Sequence, residues 1–274
     1  MKKHLLLLSA MLLIQAAAVS VFAQNKPAAV PVMTWEDYAP LDSRELQDIK
    51  EIAGWNHLDI SINTTDPGFP RTIHINREPE IQHEYVDLGL SVKWATCNVG
   101  ADKPEDYGDY YAWGETEPKD VYDWSSYKWC TGSQDTIIKY NPLSGWGIVD
   151  SLTTLEPDDD VAHVMWGGDW RMPTASEFRE LVDNCKWTWK SVNGINGYVV
   201  KSRIKGYRDR SIFLPAAGYC HDSNLHEVGK LGYYWSNSLF DLPLSAKSFY
   251  IVSDKFFRHY CSRFGGHSVR PVCP

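Results

Sequence analysis

The chain has 274 residues, and its 27 Lys and Arg against 35 Asp and Glu give a net charge of -8. The acidic residues are scattered and no basic patch is present, so nucleic acid is excluded as a partner. Aromatic residues make up 13% of the chain, with 12 Trp and 15 Tyr, often among Gly, Ser and Asn. This composition is typical of a β- and loop-rich extracellular domain.

The first residues have the pattern of an export signal. Lys2 and Lys3 precede an apolar run over 5–14, and small residues follow up to Ala23. This predicts a secretory signal peptide over 1–23. No later apolar run reaches the roughly eighteen residues of a membrane span, so we expect no transmembrane segment after cleavage. The expected location is outside the inner membrane: periplasmic, at the cell surface or extracellular.

Residues 24–80 form a separate N-terminal region in this interpretation. Residues 24–40 are rich in Pro and Ala and predict a mobile leader. A short amphipathic helix follows over 42–53, with apolar residues at helical spacing and Gly54 as its stop. The segments 58–62 and 71–75 alternate apolar and polar residues around a Pro/Gly turn, which predicts a hairpin.

From residue 81 to 274 the chain changes to short strand-like runs separated by turn residues. Two helices are predicted here, both before residue 186, so the domain is expected to be α+β with an antiparallel sheet late in the chain. The predicted strands cover 92–96, 109–113, 187–192, 197–204, 211–219, 233–238, 246–252, 256–264 and 268–272.

The stretch WGGDWRMPTASEF (166–178) predicts the start of the second helix. Thr174 and Glu177 have the spacing of a capping box, in which each side chain bonds the backbone amide of the other residue. Pro173 ends any helix upstream of it. Apolar residues at 178, 181 and 182 give the helix one buried face, and it should end near 184–185.

The residues before that helix are interpreted as a structural joint. Gly167 and Gly168 permit a left-handed or closely packed backbone. Trp170, together with Trp166 and Met172, can cover the sheet, and Arg171 can cap carbonyls or pair with an internal carboxylate. Since each residue has a structural role, no catalytic role is needed to explain the stretch.

Six motifs resemble motifs of one known family, and they follow one another in the same order as in that family. GDWRMPTASEFREL (168–181) is similar to the signature of the Fibrobacter succinogenes major paralogous domain family, and more distantly to the Legionella collagen-like C-terminal domain and the formylglycine-generating family. The other motifs are EYVDLGLSVKWATCNVGA (84–101), YGDYYAWGET (107–116), FLPAAGY (213–219), YYWSNS (233–238) and GGHSVRPV (265–272). The resemblance covers about residue 84 to the C-terminus and implies a C-type-lectin-like fold with two helices and twisted antiparallel sheets.

All six cysteines lie beyond residue 24, and an exported protein favours structural disulfides. They are Cys97, Cys130, Cys185, Cys220, Cys261 and Cys273. The pairing we favour is Cys220 with Cys261, since both lie at the ends of strand-like runs. No zinc-site spacing is present.

An enzymatic interpretation is the alternative that the distant resemblance raises. Formylglycine-generating oxidases need a C-terminal pair of reactive cysteines and a GNVWEW-like segment. Here Cys261 stands alone in the comparable region, and the segment is absent. His259 and Arg263 flank Cys261 and can lower a thiol pKa. Since no other catalytic motif is present, we expect a non-catalytic protein that works without a cofactor.

Calcium is the one metal whose binding the sequence neither predicts nor excludes. The segment EPDDD (156–160) resembles the Glu-Pro-Asn motif of sugar-binding C-type lectins but precedes WRMPT instead of following the second helix. Asp158, Asp159 and Asp160 suit the first turn of a short helix continuing through 161–165. A structural calcium bound by these oxygens is the alternative.

A ligand surface is expected in the C-terminal loops, at 220–230, 237–244 and 256–267, where C-type-lectin-like folds commonly meet ligands. Alternate residues of a strand face the core, so about half of the candidates should be buried. Trp235 is the expected core residue, and Arg258 and Tyr260 are expected to be exposed. The candidate ligand-binding residues are Tyr234, Trp235, Asn237, Arg258, His259, Tyr260 and Arg263.

These features predict an exported binding module, a surface-associated adhesin or recognition protein for a glycan or protein ligand. The alternatives are a formylglycine-generating-like oxidase, which requires a free Cys261, and a structural component of a surface assembly that uses residues 24–80. The functional part rests on analogy between folds.

Overall fold

A computed structural model of the chain describes residues 33–35, 58–62, 71–77 and 83–274. The chain divides into two compact units, 1–82 and 83–274. The predicted signal peptide and the predicted helix over 42–53 lie outside the described residues. Within them, no helix is both long enough and apolar enough to span a bilayer.

The described part of the first unit is a three-stranded antiparallel sheet. Its strands are β1 (Met33–Trp35), β2 (Leu58–Ile62) and β3 (Arg71–Arg77), in the order β1-β3-β2. The pairing of β2 with β3 confirms the two predicted strands, with Ile60 opposite Ile75. The prediction of a mobile leader is wrong at 33–35, because β1 pairs with β3.

The second unit contains eleven strands and two short α-helices, preceded by one 3₁₀ turn at Pro157–Asp159. The helices are α1 (Val161–Trp166) and α2 (Ala175–Asn184). The strands are β4 (Tyr85–Val86), β5 (Lys93–Ala95), β6 (Cys185–Val192), β7 (Ile195–Ser202), β8 (Ser211–Pro215), β9 (Tyr219–His221), β10 (Asn224–His226), β11 (Leu231–Leu239), β12 (Ser245–Val252), β13 (Lys255–Ser262) and β14 (Val272–Cys273). The prediction of an α+β domain with both helices before residue 186 is confirmed.

The strands of this unit form four small antiparallel sheets, in the orders β4-β5-β14, β6-β7-β8, β9-β10 and β11-β12-β13. The turn between β6 and β7 uses Asn193 at φ 49° and Gly194 at φ 87°. Two successive positive φ values are the requirement of the two-residue hairpin turn that Asn-Gly favours. The ends of the unit meet in one sheet, where β14 pairs with β5.

Two predicted strands do not form as predicted: only Val272 of 268–272 belongs to a strand, β14, and 109–113 forms none. Residues 109–113 make a single bridge, between Tyr111 and His267, and the Trp113 amide donates to the Arg263 carbonyl at 2.8 Å. Tyr111 and Trp113 are both buried. Two buried aromatic residues at alternate positions give the sequence pattern of a strand, although only Tyr111 forms a β-bridge.

Helix α2 packs its apolar face on the β11-β12-β13 sheet. Phe178 stacks on Phe249 of β12 with ring centroids 5.0 Å apart, and Trp94 of β5 packs on Phe178 at 5.2 Å. Burying such a side chain contributes about 1.5–3 kcal/mol. The first turn of α2 thereby lies beside Arg258 and Tyr260 in the middle of β13.

The predicted capping box of α2 is present. The Thr174 hydroxyl accepts from the Glu177 amide at 3.1 Å, and the Glu177 carboxylate accepts from the Thr174 amide at 2.7 Å. Arg171 donates to Glu177 at 2.9 Å. Burial raises the pKa of Glu177, but the hydrogen bonds from Arg171 and Thr174 outweigh it and hold the pKa below its usual value.

The joint before α2 is structural, as the sequence indicates. Gly167 ends α1 at φ 69°, and Gly168 follows at φ 56°. A Cβ atom at either glycine would meet nothing within 4 Å, so the backbone conformation and not space requires glycine there. Trp170 packs against Trp166 at 5.0 Å, and the Pro173 carbonyl accepts from the Asn237 amide at 2.9 Å.

Replacing Thr174 with Ala is expected to lower the free energy of unfolding by about 1 kcal/mol, because the amide at the third helical position loses its acceptor. Urea denaturation followed by circular dichroism measures this loss. Ser176→Ala is the control, since Ser176 is exposed and makes no capping bond in the described residues. An equal loss in both variants would contradict the capping role.

Candidate functional site

Four of the seven candidate ligand-binding residues lie in the interior. Tyr234 and Trp235 are fully buried, and Asn237 is 7% exposed. The Tyr234 hydroxyl donates to the Pro215 carbonyl at 2.6 Å, and the Trp235 indole donates to the Tyr111 carbonyl at 2.8 Å. The expectation that Trp235 is a core residue is confirmed. The Asn237 side chain accepts from the Ser238 hydroxyl at 3.0 Å. A ligand role for these three residues is wrong, because all three are buried and bonded within the fold.

Arg263 is the fourth buried candidate, and its assignment to a ligand surface is also wrong. Its guanidinium makes four hydrogen bonds, to the Tyr127 hydroxyl at 2.8 Å and to the carbonyls of Lys139, Tyr140 and Pro243 at 2.9–3.0 Å. No solvent reaches this side chain. Arg263 therefore connects the loop at 139–140 to the end of β13.

The three remaining candidates, Arg258, His259 and Tyr260, line one groove between α2 and β13. Its volume is about 270 Å³. The other lining residues are Ala175, Ser176, Phe178 and Arg179 of α2, Ser236 of β11, Phe240, and Lys247 and Ser248 of β12. Of the predicted ligand loops, 237–244 and 256–267 contribute to this groove and 220–230 does not.

An aromatic pair forms one wall of the groove. Tyr260 stacks on Phe240, with ring centroids 4.0 Å apart and an interplanar angle of 11°. Half of the Tyr260 surface, 50%, is exposed to solvent. Stacking on Phe240 therefore orients the Tyr260 ring and leaves much of the side chain free for a ligand.

The side chain of His259 faces the opposite side of the sheet from those of Arg258 and Tyr260, because alternate residues of a strand face opposite sides. Its ring stacks on Tyr233 at 5.7 Å and lies near Phe257 at 6.0 Å. Burial lowers the pKa of His259. Arg258 and Tyr260, with the opposite parity, supply the exposed side chains of this strand at the groove, and the exposure predicted for both is confirmed.

The groove contains three basic side chains, Arg179, Lys247 and Arg258, and none of its lining residues is acidic. Lys247 lies directly opposite Tyr260 in the register of β12 with β13. Among residues 83–274, no carboxylate forms an ion pair with any of the three. Sequence reasoning missed Arg179, Lys247 and Phe240, which only the pairing of strands and the packing of α2 bring to β13.

All six cysteines are free thiols in the structure. The structure contains no disulfide between Cys220 and Cys261, and the two residues lie on strands of different sheets. Cys220 pairs with Gly266, whereas Cys261 pairs with Ala246 of β12.

Cys261 also lacks the environment of a reactive thiol. Burial raises its pKa to about 11, and the Ser248 hydroxyl lies 3.7 Å from the sulfur. The expected effect of Arg263 on this thiol is wrong, because its guanidinium is bonded to carbonyls and the Tyr127 hydroxyl. A raised pKa leaves Cys261 protonated near neutral pH, and the thiol is a poor nucleophile in that form.

The acidic segment 156–160 is occupied by protein contacts. Asp159 accepts from the Tyr140 hydroxyl and from Lys139, both at 2.6 Å. Asp160 is the N-cap of α1 and accepts from the amides of Ala162 and Met172. The sequence predicted that Asp158 and Asp159 lie in the first turn of the helix. In the structure they instead belong to the 3₁₀ turn that precedes α1. Within the described ranges, no group of three or more His, Cys, Asp or Glu side chains is arranged to hold a metal ion.

The groove is thus an aromatic and basic site built by the start of α2 and the edge of a three-stranded sheet. Comparison with known proteins adds no assignment: no family model, no curated protein and no solved structure matches this chain.

Proposed function

We propose that the protein is an exported, non-catalytic binding module that holds a saccharide in the groove between α2 and β13. The observation that carries this proposal is the half-exposed Tyr260 ring, stacked on Phe240 beside Arg258. An aromatic face packs against the C–H face of a sugar, and adjacent polar side chains bond its hydroxyls. Surface-associated recognition or adhesion is the role that fits such a module.

The size of the groove favours a sugar over a protein surface. Its volume of about 270 Å³ lies just below the roughly 300–1,000 Å³ of sites for drug-sized ligands. A stable protein contact instead covers about 800 Å² on each partner. A single sugar ring, at the end of a chain or on a branch, suits the smaller site.

A C-type-lectin-like fold is part of the proposal. The motifs from residue 84 onward imply it, and the two helices with several small antiparallel sheets are compatible with it. Oxidase activity is less well supported, because burial keeps the Cys261 thiol protonated near neutral pH.

The test is binding of the exported chain, residues 24–274, to a broad glycan panel, followed by calorimetry on the glycans that bind. Tyr260→Ala and Arg258→Ala are each expected to weaken binding at least about tenfold, or about 1.4 kcal/mol. Repeating the panel with EDTA determines whether calcium contributes.

Tyr85→Ala is the matched control, since Tyr85 is 51% exposed and Tyr260 is 50% exposed. Tyr85 does not line the groove, so its variant should bind like the unaltered chain. A folded protein that binds no glycan, or that binds equally after both groove substitutions, would refute the proposal.

A further inference from the structure

We infer that the ligand of this groove is an acidic saccharide, one that carries carboxylate or sulfate groups. The inference rests on the proposed function and adds the chemical class of the ligand. It starts from the charges in the groove, which have one sign: Arg179, Lys247 and Arg258 are basic, and none of the lining residues is acidic.

This arrangement contrasts with the rest of the chain, whose net charge is -8. Some basic side chains of the second unit, such as Lys119 and Arg171, lie within 4 Å of a carboxylate, whereas others, such as Lys201 and Arg208, have no such partner among residues 83–274. The groove is distinctive because three unpaired basic side chains and no acidic one line a single site. The three in the groove have no such partner among residues 83–274, and they repel one another. An anionic ligand would remove that repulsion and supply the missing partners.

The chemistry of the three side chains fits carboxylate and sulfate oxygens. Arg179 and Arg258 are both exposed, and a guanidinium donates two parallel hydrogen bonds to such a group. Lys247 is half-buried beside them and provides a compact charge. Ser176 adds a hydroxyl in the first turn of α2, where the helix dipole also favours negative charge.

The aromatic wall favours an acidic sugar over an acidic peptide. Tyr260 lies opposite Lys247 in the strand register, so a flat apolar face and a positive charge lie next to each other. A uronic acid or sulfated sugar presents the complementary pair, a ring face and an anionic group on the same unit. An acidic peptide has the charge without the rigid ring.

The experiment is calorimetric titration of residues 24–274 with a panel of acidic oligosaccharides: oligogalacturonate, alginate oligomers, chondroitin sulfate and heparin fragments. Fully methyl-esterified oligogalacturonate is the matched neutral probe, because it keeps the sugar rings and loses the charge. We expect at least one acidic oligosaccharide to bind at least about tenfold more tightly than neutral oligosaccharides of equal length. Binding should weaken as NaCl rises from about 0.05 to 0.5 M.

Arg258→Gln and Lys247→Gln should each weaken this binding several-fold, and Lys201→Gln is the control, as an exposed lysine on β7 that does not line the groove. One outcome would overturn the inference and leave the proposed function standing. In that outcome neutral glycans bind as tightly as acidic ones, Tyr260→Ala abolishes their binding, and the Gln substitutions do not change it. Equal or tighter binding of polyglutamate would overturn the saccharide class. A folded protein that binds none of the saccharides, acidic or neutral, would overturn both proposals.

Discussion

Replacing Arg263 with Met is expected to lower the free energy of unfolding by about 3–4 kcal/mol, the largest effect we expect of any single substitution near the groove. The four hydrogen bonds of its guanidinium go to the Tyr127 hydroxyl and three backbone carbonyls. Methionine fills much of the same space but leaves these acceptors without a donor, and each unsatisfied buried group costs about 1–3 kcal/mol.

Aromatic rings add to the loss. The Arg263 guanidinium lies 5.1 Å from the ring centre of Trp113, 5.2 Å from Tyr127 and 5.8 Å from Tyr140. Such contacts contribute about 0.5–2 kcal/mol when they are shielded from water. Arg263→Lys should recover only part of the stability, because an ammonium group cannot reach acceptors spread around a planar guanidinium.

Urea denaturation at neutral pH measures the effect, and Arg258→Met is the matched control. Arg258 lies five positions earlier and is exposed, so its substitution should change stability by no more than about 0.5 kcal/mol. Similar losses for both arginines would show that Arg263 is not the buried anchor described here.

Protonation of His267 is expected to destabilise the fold as the pH falls below about 6.5. His267 is fully buried, with its ring 3.9 Å from Trp235 and 4.9 Å from Tyr233. Burial lowers its pKa to about 3, and the nearby His259 acts in the same direction. The folded state thus binds this proton more weakly than the unfolded state does.

The direction of this pH dependence follows from the linkage between proton binding and folding. Above the unfolded pKa of about 6.5 the contribution of His267 is constant, and between about 6.5 and 3 stability falls by up to about 1.4 kcal/mol per pH unit. Asp160 acts in the opposite direction, because burial raises the pKa of its carboxyl to about 6. A comparison with His267→Phe isolates the histidine, since Asp160 is common to both proteins.

Urea denaturation of both proteins at several pH values between about 7 and 5 provides the measurement. The free energy of unfolding of the unaltered chain should fall relative to that of His267→Phe as the pH falls, whichever protein is the more stable at pH 7. A pH-independent difference for His267→Phe would contradict a neutral buried His267.

Local patterns in the sequence predicted much of the fold. The capping box at Thr174 and Glu177 depends on residues three apart, and the Asn193-Gly194 turn depends on two neighbours. Alternation also placed Arg258 and Tyr260 on one strand face. These features could be predicted because the interactions that fix them lie within a few residues.

Features that depend on distant contacts could not be predicted in this way. The sequence predicted a strand over 256–264 and placed Arg263 among the ligand-binding candidates, but β13 ends at Ser262 and Arg263 lies in the interior. The groove itself needs α2, Phe240 and β12 to meet β13. Disulfides were inferred from compartment and cysteine count alone, which carry no information about distances between sulfur atoms.

The buried bonds of Arg263 have a consequence for recognition. They fix the end of β13 to the loop at 139–140, and the Phe240 stack holds Tyr260 in place. The groove-forming side of this strand is therefore preorganised, and less conformational entropy is lost when a ligand arrives. Preorganisation of this kind lets a small contact area give useful affinity and favours ligands whose shape already matches the resting site.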